Sequence, residues 1–125
     1  MPNMERLIVL DTETTGIRPD EGHRIIEVGA VQIVNREITS TEFHKYIQPN
    51  RAVGDSVNIH GITDKFLINK PQFDQISNDL LSFIEGATLV IHNAPFDLGF
   101  LDNELKINGI NKKIEDICQI IDTLE

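Results

Sequence analysis

The sequence predicts an α/β fold with a mixed sheet, and three observations support this class. Three β-branched or alternating segments come first, at 6–10, 25–34 and 37–47. A segment with helical spacing follows Pro71, and a short apolar strand-like run occupies 87–91 before a second helical pattern. Three strands, a helix, a strand and a helix are typical of an α/β domain with a mixed sheet.

The first half of the chain predicts an antiparallel meander. Residues 6–10 form a short apolar run, which indicates a buried strand, and 16–22 is a turn-rich loop containing Pro19 and Asp20. Segments 25–34 and 37–47 are each long enough for a further strand.

The second half predicts helices around one more strand. We expect a loop at 49–56, a short helix within 56–62 and another, capped by Thr63, through Leu67.

The clearest helix follows Pro71 and ends at Gly86; its apolar positions are Phe73, Ile76, Leu80, Phe83 and Ile84. Pro95 opens another helix after strand 87–91, and 118–124 is predicted to begin a further helix.

Composition narrows the function classes. The 125 residues are at most one domain, and 20 acidic against 11 basic residues give a net charge of -9. This balance argues against a broad basic face for nucleic acid, but nucleic acid can be held through divalent cations. The single cysteine excludes a disulfide framework. No membrane-length apolar run exists and residues 1–5 lack a signal pattern, so we expect a cytoplasmic protein without a membrane partner.

Two carboxylates, Asp11 and Glu13, follow the first apolar run with one residue between them. If the strand continues, both point to the same face, because side chains alternate with period two. Hard oxygen ligands of this kind suit magnesium or manganese. The alternative interpretation is that the two acids cap a loop or contact a basic neighbour on the surface.

A second group of polar residues follows the apolar strand 87–91. His92 and Asn93 end that strand, and Asp97 lies in the first turn of the next helix. Asp97 alone could simply complement the helix dipole. Because α/β sheets usually place their sites at such strand ends, we also predict that the acids converge in a carboxylate cluster suited to metal-assisted phosphoryl transfer.

A third candidate is His60, beside Gly61 and between apolar residues. A buried, hydrogen-bonded histidine is the alternative to a functional one. Ile59 fits either a core position or a wedge against a substrate base.

Three segments together resemble the DnaQ-like (DEDD) 3′–5′ exonuclease family, and within it the members that serve as proofreading subunits of bacterial DNA polymerase III. They are Leu10-Asp11-Thr12-Glu13-Thr14-Thr15-Gly16, His60-Gly61-Ile62, and His92-Asn93-Ala94-Pro95-Phe96-Asp97 with Phe100-Leu101. The resemblance spans nearly the whole chain. It implies a ribonuclease H-like fold, with a mixed five-stranded sheet flanked by helices.

The resemblance also implies residue roles. Asp11 and Glu13 would bind two catalytic divalent cations, Mg²⁺ or Mn²⁺, and Asp97 would complete the sphere of one. Such ions activate water and stabilise the leaving oxygen. The implied contacts to the terminal nucleotide are Thr12, Glu13, Thr14, Thr15, Asp55, Ile59, His60, His92, Asn93 and Phe96.

The family's third motif, His-x-x-x-x-Asp, does not occur downstream of the second motif here, since no histidine follows His92. His92 and Asp97 have the same spacing but already belong to the second motif. We therefore expect residues 1–125 to be the N-terminal part of a single exonuclease domain whose C-terminal part is missing. We also expect this part to be inactive alone, because no residue in it is assigned the general-base role.

The expected function is removal of nucleotides from unpaired 3′ ends of DNA, with the polymerase catalytic subunit and other replication subunits as partners. Two alternatives remain at this stage. One is a free-standing exonuclease of the same family acting on RNA or oligonucleotides. The other is an inactive truncated module that only binds nucleotide or a partner.

Overall fold

The structure is a computed structural model in which residues 5–124 are described. Residues 1–4, on which the predicted lack of a signal pattern partly rests, lie outside the described residues. Within 5–124 the strands are β1 (Arg6–Thr14), β2 (Ile25–Val34), β3 (Glu37–Tyr46), β4 (Thr88–Ile91) and β5 (Gln119–Asp122). The α-helices of the same range are α1 (Val57–His60), α2 (Asp64–Leu67), α3 (Phe73–Ile84), α4 (Ala94–Ile107) and α5 (Ile114–Ile117).

The sheet is mixed and has the order β3-β2-β1-β4-β5. β1 lies at its centre, antiparallel to β2 and parallel to β4, and β5 runs parallel to β4. Asn35 and Arg36, both with positive φ, form the tight turn between β2 and β3. The predicted meander and the five-stranded mixed sheet are both confirmed.

The core lies between one face of the sheet and helices α3 and α4. Alternate residues of β1 and β4, such as Ile8, Leu10 and Leu89, are fully buried there. On the opposite face of β1, Val9 is 43% exposed, so the two faces of the central strand differ sharply. This alternation also fixes which way the polar residues at the end of β1 point.

Most predicted boundaries are confirmed. Thr63 caps α2 by accepting a hydrogen bond from the Phe66 backbone amide, and Gly86 follows α3 with a left-handed φ of 80°. Pro95 occupies the first turn of α4, where its missing N–H costs no helical hydrogen bond.

The prediction that β1 ends at residue 10 is wrong. β1 continues through Thr14, and Asp11 and Glu13 pair with Gly29 and Glu27 of β2. The polar segment is tolerated because its acids lie on the face of β1 that is not packed in the core. The two carboxylates therefore lie on a strand, not in a loop after it.

The prediction that 118–124 begins a helix is also wrong. Cys118 is extended, and Gln119–Asp122 forms the edge strand β5, which pairs residue by residue with β4. A four-residue segment with only two apolar residues has no decisive periodicity of its own, and its pairing partner lies about thirty residues upstream.

No helix in the described range combines the length and hydrophobicity that a bilayer crossing requires.

Candidate active site

Asp11 and Glu13 share one face of β1. Thr12 and Thr14, which alternate with them, are buried, whereas Asp11 is exposed and Glu13 is half-buried. Partial burial, and next the charge of Asp11, raises the pKa of the Glu13 carboxyl above its usual range. The strand thus holds two negative groups close enough to repel each other.

Asp97 approaches the same strand from α4. Its side chain is only 3% exposed, and the Thr12 hydroxyl donates a hydrogen bond to Asp97 Oδ1. Burial raises the pKa of Asp97 to about 6; the hydrogen bond from Thr12 opposes this shift, and the charges of Asp11 and Glu13 add to it. The three acids therefore interact electrostatically, and their convergence into one ligand cluster stays a prediction.

These acids suit a hard divalent cation, because carboxylate oxygens are the ligands that Mg²⁺ and Mn²⁺ prefer. Burial first, and then the charges of Asp11 and Glu13, disfavour the ionised form of Asp97, and a bound cation would oppose both effects. Within residues 5–124, no three Asp, Glu, His or Cys side chains already stand in ligating positions. The assignment of Asp11, Glu13 and Asp97 as metal ligands stays a prediction.

A cleft of about 620 Å³ opens beside the end of β1. Seven predicted site residues line it, namely Thr12, Glu13, Thr14, Thr15, Asp55, Ile59 and Phe96. Ile59 is 85% exposed, which excludes the core alternative for this residue and leaves the side chain free to meet a ligand. Cavities of this size commonly enclose one small ligand.

Two lining residues, His23 and Arg51, were missed by sequence reasoning. His23 Nδ1 lies 2.9 Å from Thr15 Oγ1, and its ring packs so closely on Gly16 that a Cβ there would overlap it. The only local signal was a histidine after the Gly22 turn. Since both residues reach the cleft through the meeting of separate loops, their spacing in the sequence could not show it.

His60 is half-buried and both of its ring nitrogens are hydrogen-bonded. Its Nδ1 accepts from the Ile62 backbone amide at 2.9 Å, and its Nε2 lies 2.9 Å from the Ser56 hydroxyl, which donates to the Val53 carbonyl. His60 therefore organises α1, which carries Ile59, and the preceding turn, which carries Asp55. Its predicted contact with substrate stays a prediction.

His92 and Asn93 lie at the ends of β4 and β5, outside the lining of the cleft. Asn93 adopts a left-handed conformation (φ 62°) and its backbone amide donates to Asp122 Oδ1; His92 Nδ1 lies 3.1 Å from Thr123 Oγ1. Asp122 also accepts from the Leu124 amide, and these backbone bonds lower the pKa of its carboxyl. Sequence reasoning missed Asp122 because its segment was predicted to be helical.

A larger cavity, of about 830 Å³, lies elsewhere on α4 and contains none of the predicted site residues. Three lysines and three aspartates line it, among other residues, so its charges balance. The smaller cleft is the candidate active site because it holds Glu13 and adjoins Asp97.

Comparison with known proteins identifies the family of this chain. Residues 8–125 match the sequence model of the RNase_T exonuclease family. The chain is 49% identical to "DNA polymerase III subunit epsilon" of Haemophilus influenzae and 50% identical to the subunit of that name from a Buchnera aphidicola strain, covering all of this chain in both cases. It covers 51% and 56% of those relatives, so the chain spans about half the length of the curated relatives it matches.

Solved structures show the same fold. An E. coli exonuclease I bound to single-stranded DNA superposes with a TM-score of 0.81 at 17% identity, over 96% of this chain and 28% of that one. Exonuclease X in complex with 5′-overhanging duplex DNA gives a TM-score of 0.63 at 26% identity, over 76% of this chain and 53% of that one. The ribonuclease H-like fold is thereby confirmed. The chain belongs to the exonuclease family whose model it matches over 8–125, as its DnaQ-like motifs predicted.

Proposed function

We propose that the full-length protein is a 3′–5′ exonuclease that proofreads DNA as a subunit of DNA polymerase III. The observation that carries the proposal is the buried carboxylate of Asp97, which lies beside Asp11, Glu13 and an open cleft. Among the described residues, no ion pair includes Asp97. The names of the relatives, of which this chain covers about half, support the replicative setting. A cytoplasmic location and contact with the polymerase catalytic subunit are parts of the same proposal.

Asp11, Glu13 and Asp97 would hold two divalent cations, Mg²⁺ or Mn²⁺. When bound, these would supply a nucleophilic water and stabilise charge on the leaving 3′ oxygen. The water oxygen bonds to phosphorus while the P–O3′ bond breaks, releasing a 5′-mononucleotide and a new 3′ hydroxyl. A cation bound there would favour the ionised form of Asp97 and lower the pKa of its carboxyl.

The other cleft residues bind and orient the terminal nucleotide. Thr12 and Thr14 of β1 and the following Thr15 form one wall, Phe96 adds an aromatic surface, and Ile59 of α1 completes the lining. Apolar and aromatic groups hold a base through its faces, which every base possesses, so such a cleft accepts any terminal base. Within residues 1–125 the acid–base role has no assigned histidine, because none follows His92.

Unpairing of the 3′ end selects the substrate in this proposal. A frayed terminus has already lost stacking of about 1–2 kcal/mol per step, which a paired terminus must give up to enter the cleft. A mismatched end should thus be degraded about 5- to 30-fold faster than a matched one. The relevant experiment compares matched, mismatched and RNA 3′ ends with the full-length protein.

Asp11→Ala should abolish release from every end, while Asp79→Ala, a matched change on the exposed side of α3, should leave it unchanged. A strong preference for RNA ends would overturn the proofreading proposal in favour of a free-standing ribonuclease. Equal rates on matched and mismatched DNA would contradict selection by fraying.

A further inference from the structure

Arg51 lies at the rim of the candidate cleft and bridges two of its loops. Its Nη1 donates to the Gly22 carbonyl at 2.9 Å and its Nε donates to the Ala52 carbonyl at 3.2 Å. Gly22 adopts a left-handed conformation (φ 83°) at the end of the β1–β2 loop. The guanidinium is therefore held in place at the mouth of the cleft, although the side chain is exposed.

The charge of Arg51 is not neutralised by these bonds, because both acceptors are uncharged carbonyl groups. None of the ion pairs found in residues 5–124 includes Arg51. An arginine carries five N–H donors, and two are used here, so the remaining donors are available to a ligand. Arginine donors match a phosphate group in geometry as well as in charge.

The remaining charges of the cleft make this position distinctive. Arg51 is the one lysine or arginine among its described lining residues, and Glu13 and Asp55 line the same cleft. A cleft of about 620 Å³ can enclose a terminal nucleotide, and a longer strand must then leave across the rim. A strand that leaves across the rim brings its next phosphate to a fixed, uncompensated cation.

We propose that Arg51 is a substrate-binding residue that contacts a phosphodiester upstream of the scissile bond in single-stranded DNA. This inference rests on the proposed function, because it assumes that the terminal nucleotide occupies the cleft. It assigns to Arg51 the recognition of a chain, as distinct from the recognition of a single nucleotide. An acidic protein with a net charge of -9 would thereby gain a local attraction for the strand.

The test uses the full-length protein with Arg51→Gln, Arg51→Lys and the control Arg36→Gln. Arg36→Gln removes the same charge as Arg51→Gln, but in the β2–β3 turn, at the far end of the sheet from the cleft. Two substrates are compared: a single-stranded oligonucleotide and the nitrophenyl ester of thymidine 5′-phosphate, which has one phosphate and no upstream nucleotide. Binding of a fluorescent single-stranded oligonucleotide is measured in parallel.

Arg51→Gln should raise KM and Kd for the oligonucleotide about tenfold with kcat little changed, since one charge-assisted contact is lost. The slope of log Kd against log salt should fall by about 0.7, the value for one phosphate contact in a single strand. Hydrolysis of the nitrophenyl ester should be unchanged, and Arg51→Lys should restore the salt slope. Arg36→Gln should behave as the wild type in all assays.

If Arg51→Gln lost activity equally on the oligonucleotide and on the nitrophenyl ester, the proposal would be overturned, because Arg51 would then act by holding the loops of the cleft together. The proposal would also be overturned if Arg51→Gln bound the oligonucleotide as tightly as the control Arg36→Gln. If the wild type hydrolyses neither substrate but binds the oligonucleotide through Arg51, the proposed function fails while the Arg51 contact stands.

Discussion

Two carboxylates on the buried face of α4, Glu104 and Asp97, are 1% and 3% exposed but have different partners. Glu104 accepts two hydrogen bonds from the Arg24 guanidinium, at 2.7 and 2.9 Å, and a third from the Ile25 amide at 3.1 Å. Asp97 accepts one from the neutral Thr12 hydroxyl, and burial, with a smaller effect of two neighbouring acids, raises the pKa of its carboxyl. One carboxylate is neutralised within the fold and the other is not.

The difference distinguishes a structural acid from the acid that we propose to be functional. A buried charge is costly unless it is paired, and the Arg24 pair meets that requirement while fastening α4 to the start of β2. In the described residues Asp97 has no ion-pair partner, so an external cation is the group that would stabilise its charged form. Sequence position alone does not distinguish the two acids, since both occupy the buried face of the same helix.

The largest expected effect is on activity. Asp97→Asn in the full-length protein should reduce release of nucleotides from single-stranded DNA by about 10³-fold, because a metal site contributes several kcal/mol of charge stabilisation. The assay is initial rate at saturating Mg²⁺, with Asp79→Asn as the matched control on α3. Activity within a few-fold of the wild type would show that Asp97 has no part in the reaction.

The next effect concerns the structural acid. Glu104→Gln should lower the free energy of unfolding by about 3–5 kcal/mol, because it leaves the Arg24 guanidinium largely buried without a charged partner. Urea unfolding of the variant and the wild type measures this loss. A cost below 1 kcal/mol would contradict the stabilising role assigned to the pair.

Asp97→Asn should change stability in the opposite direction. The pKa of Asp97 is about 6 in the folded state against an ordinary value of 3.8, so the folded protein binds the proton more tightly than the unfolded chain. Stability of the wild type should therefore fall as the pH rises from about 4 to 6, by about 2–3 kcal/mol. Asn keeps the acceptor for Thr12 and carries no charge, so the variant should lack this fall.

The measurement is urea unfolding between pH 4 and pH 8 without divalent metal. The two proteins should be about equally stable near pH 4, and Asp97→Asn should be the more stable at pH 8. Added Mg²⁺ should narrow the gap at pH 8, since a cation that binds only the folded wild type stabilises it by mass action. A wild type as stable as the variant at pH 8 without metal would refute the assigned pKa shift.

Much of this arrangement could be predicted from the sequence, and the reasons are local. The apolar run before Asp11 predicted the central strand. Asp97, Phe100 and Leu101 are spaced as on one side of a helix, which agrees with their place on α4. The alternation of β1 likewise predicted that Asp11 and Glu13 share a face. These features depend on neighbours within a few residues.

The rest depends on contacts between distant segments. β5 becomes a strand only because β4 lies beside it, and Arg24 meets Glu104 across 80 positions of the chain. His23 and Arg51 likewise reach the cleft from separate loops. No local spacing encodes such contacts, so the sequence predicted the carboxylates as site residues but gave no sign of the loop residues around them.

The most direct test of the account measures the Asp97 pKa itself by NMR of a ¹³C-labelled side-chain carboxyl, with and without saturating Mg²⁺. We expect a pKa of about 6 without metal, which should fall below the ordinary value of 3.8 when a cation binds beside the carboxylate. Asp11→Asn should weaken that fall by removing a shared ligand. A pKa that stays near 6 at every Mg²⁺ concentration would contradict the claim that Asp97 belongs to a divalent-metal site.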